Sequence, residues 1–267
     1  MAKIALIGMG YLGTPLAHSL VKLGHQVTAT KTSTTSLPST DQLQILQLDL
    51  TELTDQSPLP LPIVEADIVI YNLPPIEPQF VKLFFAKLNS HQKIVYTSSI
   101  SVYGKNMGDI DEHTQIPSPS TNSPIVLELE RHLREHFARA ALLRLGGLYG
   151  NTPHKKRHPV TFLAGKKDLR SGDEYLHLVH ISDCIQAITQ VIAKDLFPTE
   201  LNIVSSLRIL KKDYYTFMAQ KCHLEPSHFS EILTANATRI SNQKSIELLG
   251  LQYQNPVDYS FEDEPSS

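Results

Sequence analysis

The chain has 267 residues, enough for one large domain or for a main domain with a small lobe. Apolar residues make up 41% and charged residues 19%, and the formal net charge is -3, a balance that argues against nucleic acid as a partner. Cys184 and Cys222 supply neither a disulfide framework nor a metal pattern, and no apolar run approaches the ~20 residues that span a bilayer. The expectation is therefore a cytoplasmic protein with idle thiols, no metal and no membrane association.

Residues 2–7 read as a short buried strand, and residues 12–23 as a helix, because Leu12, Leu16, Leu20 and Leu23 recur at helical spacing. Gly24 ends that helix, and "HQVTAT" (25–30) is a second strand. Residues 31–40, rich in Thr and Ser with Pro38, form a loop. "LQILQLDL" contains a third strand, "ADIVIYNLPP" a fourth and "QKIVYTSS" a fifth, with a helix at 78–88 between the last two. "SPIVLELERHLREHF" is a long helix with Pro124 in its first turn, where a missing N–H costs little. Glu128 with His132 and Glu130 with Arg134 are its i,i+4 pairs. "AALLRLGGLYG" holds a sixth strand and the loop beyond it. Further on come a helix at "SDCIQAITQVIA", a return strand at "LNIVS", helices at 213–220 and 239–249, and an acidic tail, "DYSFEDEPSS".

Strands alternating with helices at this spacing predict an α/β fold, a Rossmann-type doubly wound parallel sheet with a small C-terminal substrate lobe. Residues 1–150 form the dinucleotide-binding domain, to which 179–204 return. Residues 151–178 and 205–256 form the lobe on the substrate side, and 257–267 the tail.

"GMGYLG" places Gly8, Gly10 and Gly13 in G-x-G-x-x-G between the first strand and the first helix. Gly8 permits the tight turn, Gly10 lets the backbone approach a pyrophosphate, and Gly13 lets the helix pack on the sheet. Tyr11 and Leu12 complete the turn, and the helix N-terminus favours phosphate charge. An acid ending the second strand would take the ribose hydroxyls of NAD, but the chain offers Thr30, Lys31 and Thr32 there. Hydroxyls and a lysine suit the extra phosphate of NADP, so NADP is expected ahead of NAD. Asp49, ending the third strand, either receives the adenine amino group or caps the turn that follows. Leu73 and Pro74 end the fourth strand and Thr97 and Ser98 the fifth, where the cofactor crevice of a parallel sheet opens.

On "GMGYLG", "TSSISVYG", "RLGGLYG" and "LVHISD" the chain resembles the extended short-chain dehydrogenase/reductase superfamily, the nucleotide-sugar epimerase and dehydratase relatives. It is most similar to an atypical NAD(P)-dependent epimerase/dehydratase-like branch, with "TNSPIVLELE" and "LRSGDEYLHLVHISDCIQAI" among its marks. It departs from the usual glycine spacing, G-x-x-G-x-x-G. The resemblance implies that Ser99, three residues before "VYG", orients a substrate hydroxyl. It also implies a Tyr-x-x-x-Lys pair opening the following helix, in which the lysine lowers the tyrosine pKa. Aligned on Glu130, those slots hold Asn122 and Val126. Neither can cycle a proton. Tyr103, Tyr149, His154, His158 and His180 remain as acid/base candidates, with Ser99, Tyr149 and His154 taken as the catalytic set. Arg144 resembles the arginine of the superfamily's R-x-x-x-x-Y-G run, with a possible carboxylate contact. His180 and Asp183 match H-x-x-D, where Asp183 caps the next helix.

Two functions compete. One is an NAD(P)-dependent oxidoreductase or epimerase-like enzyme on a small polar molecule such as a nucleotide sugar, working as monomer or homodimer. The other is a non-catalytic NAD(P)-binding sensor or scaffold.

Overall fold

The structure, a computed structural model, describes residues 1–33, 40–105, 107–116, 124–152, 155–230 and 236–260. In chain order the strands are β1 (Lys3–Ile7), β2 (Gln26–Lys31), β3 (Leu43–Gln47), β4 (Ile68–Tyr71), β5 (Lys93–Ser99), β6 (Asp109–Ile110), β7 (Ala140–Leu145), β8 (Gly147–Thr152), β9 (Lys155–Arg157), β10 (Leu178–His180), β11 (Thr199–Ile203) and β12 (Arg239–Ile240). The helices are α1 (Gly13–Lys22), α2 (Leu61–Val64), α3 (Pro78–Ala86), α4 (Pro124–His136), α5 (Pro159–Leu163), α6 (Ile181–Ala193), α7 (Lys211–Lys221) and α8 (Gln243–Leu249).

Seven strands form one sheet in the order β11-β7-β5-β4-β1-β2-β3. The pairs β1–β2, β2–β3, β1–β4 and β4–β5 are parallel, with Ile4 opposite both Val27 and Ile68. This is the Rossmann-type doubly wound architecture expected from the alternation of strands and helices. β1 and β4 are buried along nearly their whole length, which is why both read as continuous apolar runs. Strand order reverses beside β1, and that switch point opens the crevice where such sheets bind ligands.

The chain divides into two compact units. The first comprises Met1–Val102, Pro119–Arg144 and Ile188–Glu200, and the second Tyr103–Ser118, Leu145–Ala187 and Leu201–Ser267. The second contains a three-stranded sheet ordered β10-β8-β9 and a two-stranded pair, β12 with β6. Its core gathers Tyr149, Val160, Leu178, Tyr214, Met218 and Tyr259. The helix expected over residues 239–249 begins only at Gln243. Arg239 and Ile240 instead pair in parallel with Asp109 and Ile110, and the Arg239 guanidinium meets the Asp109 carboxylate. A local helical pattern loses here to a partner strand some 130 residues away in sequence.

One buried polar cluster holds the first unit together. Glu130 on α4 and Arg144 on β7 are fully buried, at 0% and 1% exposure. Arg144 Nε donates to Glu130 Oε1 at 3.0 Å and its Nη2 to Glu130 Oε2 at 2.8 Å. Arg144 Nη2 also reaches Glu200 at 2.9 Å, and Arg134 donates to both glutamates. Two arginines and two glutamates thus neutralise one another, and each carboxylate is hydrogen-bonded as burial requires. Of the two i,i+4 pairs read in α4, Glu130–Arg134 forms. Glu128 instead meets Lys82 of α3, and the His132 ring packs on His136. Arg144→Ala or Glu130→Ala should lower the unfolding free energy by about 3–5 kcal/mol in urea titrations, because one buried charge is left unpaired. Replacing both by apolar residues of similar volume should cost far less.

The second unit carries a pH liability. Burial lowers His158, His177 and His180 from 6.5 to about 4. The unfolded chain takes up these protons near pH 6.5 and the folded unit only near pH 4, so stability falls as pH drops through that interval. Thermal melts from pH 7 to 4.5 should show a falling midpoint. His158→Gln should flatten the slope.

Candidate functional site

The turn leaving β1 has a separate demand at each glycine. Gly8 has φ +103°, and a Cβ there would stand 2.5 Å from the Asn72 carbonyl oxygen. A Cβ on Gly13 would stand 2.1 Å from the Gly8 carbonyl oxygen. Around Gly10 a Cβ would meet nothing within 4 Å. Gly8 and Gly13 are therefore required by the protein's own packing. Gly10 keeps open a space that a side chain would enter, as a backbone cradling a pyrophosphate needs. No side chain caps the N-terminus of α1, and no acid occupies its first turn. Its forward-pointing amides suit a phosphate. The residues present thus fit a dinucleotide.

Three strand ends are wired to this turn. The Gly8 N–H donates to Thr30 Oγ1 of β2 at 3.1 Å, and the Met9 N–H to the Thr30 carbonyl at 2.8 Å. Asn72, just past β4, donates Nδ2–H to the Gly8 carbonyl at 3.0 Å. Thr97 of β5 reaches Asn72 Oδ1 at 3.0 Å and the Tyr71 carbonyl at 3.2 Å. Of the three side chains in this linkage, Thr30, Asn72 and Thr97, Asn72 is the one that the sequence did not single out. Its only signal was a polar amide immediately after a fully apolar strand.

The remaining expected cofactor residues divide by what their polar atoms already do. Tyr11, Lys31 and Leu73 are half-buried, Leu12 is buried and Pro74 is exposed. Thr32 is exposed, and its carbonyl accepts from the Gln47 side chain. Asp49 accepts from the Thr51 N–H at 2.9 Å and from the Thr51 hydroxyl, bonds that lower its pKa. Of its two readings, the turn cap is the one seen in the structure. Ser98 is buried and donates to Glu130 at 2.6 Å, so its hydroxyl belongs to the buried charge cluster. Ser99 Oγ accepts from the Ser101 N–H at 3.1 Å.

His154 and Asn122 lie outside the described residues. Val126, in the slot of the superfamily lysine, is buried in α4. Tyr149 belongs to the second unit and is 1% exposed. Burial, with the nearby Asp183 and Asp258 carboxylates, pushes its phenol far above the ordinary range, so it stays protonated. His158 is not a solvated surface side chain. It is fully buried, caps α5 by accepting from the Val160 N–H and meets the Tyr214 hydroxyl at 2.8 Å. His180 precedes α6 and accepts from the Ser182 N–H, while Asp183, in the first turn, accepts from the Gln254 N–H at 3.0 Å. Desolvation raises Asp183 to about 6. Among the described residues no cluster of His, Cys, Asp or Glu could hold a metal, and no helix is long and apolar enough to cross a membrane.

The strand order, with a glycine turn at its switch point, defines a Rossmann-type doubly wound α/β protein. The chain belongs to the family of Protein YeeZ from Escherichia coli strain K12, to which it is 33% identical over 273 residues, covering 96% of this chain and 97% of that one. No family model matches the sequence. Among solved structures it is similar to MoeE5 in complex with UDP-glucuronic acid and NAD (TM-score 0.76, 19% identity, 96% and 95% of the two chains). It is also similar to UDP-glucuronic acid 4-epimerase from Bacillus cereus in complex with UDP-glucuronic acid and NAD (TM-score 0.74, 15% identity, 95% of each chain). At those identities the likeness is one of fold.

The expected preference for NADP is corrected. Both of these structures hold NAD, as do several other solved complexes of this fold to which the chain is similar. Thr30, one of the residues expected to meet the extra phosphate, is 2% exposed, and its Oγ1 accepts from the Gly8 N–H. Thr30→Val should lower stability by about 1–2 kcal/mol by orphaning the Gly8 N–H, whereas Thr30→Ser should lose less; chemical denaturation checks both.

Proposed function

We propose that the protein is an NAD-dependent oxidoreductase of the epimerase/dehydratase class acting on a small polar substrate, a nucleotide sugar. The observation that carries this reading is the glycine turn, closed by packing at Gly8 and Gly13 and open at Gly10. The NAD and UDP-sugar complexes of MoeE5 and of the Bacillus cereus epimerase support it. NAD supplies hydride-transfer chemistry when bound. The backbone from Gly8 to Gly13 would hold its pyrophosphate, with Leu73 and Pro74 beside it. Ser99, whose Oγ accepts from the Ser101 amide and keeps its own O–H for another acceptor, would donate a hydrogen bond to a substrate oxygen. Tyr149 keeps its proton at neutral pH and would act as a donor, not a base.

A second reading, an NAD-binding sensor without turnover, is favoured by Val126. In the lysine slot it is apolar and buried, and supplies no cation.

Titration should show saturable binding of NAD. Gly10→Ala should weaken that binding by about tenfold or more. It should leave the melting temperature nearly unchanged, since Gly10 has ordinary φ and free space around it. Incubation with UDP-glucose or UDP-glucuronate then separates the readings. Reduced cofactor or an epimeric sugar marks the enzyme; binding without conversion marks the sensor. Absence of saturable NAD binding would sink both.

A further inference from the structure

The second unit contains a cavity of about 430 Å³ that the dinucleotide reading does not use, lined by Tyr149, Asn151, His180, Gln254, Asn255 and Asp258, among others. Sites for small molecules run from roughly 300 to 1,000 Å³. We infer that this cavity binds a neutral, polyhydroxylated small molecule, a sugar ring, with the Tyr149 hydroxyl and the Asp258 carboxylate as its two anchoring groups.

The argument begins with an unfilled hydrogen bond. The Tyr149 hydroxyl is buried and has no partner among the described residues. An orphaned buried phenol costs stability, and native proteins seldom keep one without a reason. Its ring is held firmly, edge-on to His158, His180 and Tyr259, so the hydroxyl cannot swing away to find water. Nearby groups have already used one side of their bonding capacity and keep the other. His180 commits Nδ1 to Ser182. Gln254 donates its amide to Ser182. Asn255 accepts from the Val257 N–H and retains its amide donors. Asp258 is half-buried, with no hydrogen bond or ion pair from its carboxylate among the described residues.

The charge of this set selects the ligand. Its lining holds one acid, Asp258, and no lysine or arginine, and burial lowers His180 to about 4. A phosphate or carboxylate ligand would be repelled by Asp258, and one carboxylate is too few for a metal. What remains is a group that accepts from a phenol and donates to a carboxylate. A hydroxyl does both, and a ring carrying several can satisfy Tyr149, Asp258 and the side-chain amides together. The aromatic wall offered by Tyr149 and Tyr259 suits the apolar face of such a ring. All the residues belong to the second unit, so the inference stands independently of the glycine turn.

The experiment uses the full chain and four probes, D-glucose, D-glucuronate, UDP-glucose and UDP, read by calorimetry and ligand-observed NMR. Glucose binding identifies a free sugar as sufficient. Binding of UDP-glucose but not of glucose or UDP identifies the sugar of a nucleotide sugar. Either result supports the site, and glucuronate should bind more weakly than glucose. Tyr149→Phe should weaken sugar binding by about two- to tenfold. It should leave NAD binding unchanged and the melting temperature equal or higher, since an unsatisfied hydroxyl has been removed. Asp258→Asn should weaken the neutral sugar and reduce the discrimination against glucuronate. The inference is overturned if no sugar probe binds, if both variants bind as the wild type does, or if Tyr149→Phe lowers the melting temperature. Loss of NAD binding alone would bear on the glycine turn and leave this site standing.

Discussion

The first unit depends on a close backbone approach. At Gly8 and Gly13 the end of β1, the start of α1 and the chain beyond β4 come nearer than any Cβ would allow. That contact forces the turn, and the turn presents the α1 amides toward the crevice. The side chains around it serve the same geometry. Thr30 takes the Gly8 amide, Asn72 takes the Gly8 carbonyl, and Thr97 ties Asn72 to β5. Three parallel strands therefore end in register with one loop, and displacing any of them would strand a buried backbone group.

The buried cluster of Glu130, Arg134, Arg144 and Glu200 performs the corresponding task on the other side of β5. Ser98 joins it, while its neighbours Thr97 and Ser99 bond elsewhere. Successive residues of a strand face opposite ways. The "TSS" ending β5 is thus divided, with Thr97 toward the glycine turn, Ser98 into the charge cluster and Ser99 at the strand end. A cluster of this kind adds little net stability over an apolar core, but it penalises any register in which one charge loses its partners. It holds the end of β5 in place, and with it the hydroxyl of Ser99.

The elements that could be read from the sequence are those whose cause is local. Apolar runs in β1 and β4, leucine spacing in α1 and the three glycines each carry their reason within a dozen residues. The losses have distant causes. β12 forms because Asp109 lies across from Arg239. Glu128 leaves His132 for Lys82 because α3 packs beside α4. Thr30 was read as a phosphate ligand because a sequence shows a hydroxyl but not its direction, and its direction is inward. Arg144 was the exception among long-range features. Its motif suggested a carboxylate, and Glu130, used to align the helix and paired with Arg134 at i,i+4, is that carboxylate.

Val126 and Glu130 lie one turn apart on the buried face of α4. That face brings a carboxylate to the end of β5 and, one turn earlier, an apolar branch in place of a cation. Of the described acid/base candidates, Tyr103 is buried and donates its hydroxyl to Asn202 at 2.8 Å, and the other three do not restore what is missing. Tyr149 holds its proton too tightly to be a base, and His158 and His180 hold theirs too weakly, with pKa near 4. Each departs from the neutral-pH poise that general acid–base catalysis favours, in a direction set by burial. The polar groups of this chain are thus better suited to orienting a polyhydroxylated molecule than to abstracting its protons. Binding and turnover therefore have to be measured separately, because none of Tyr149, His158 and His180 is poised as the base that turnover requires.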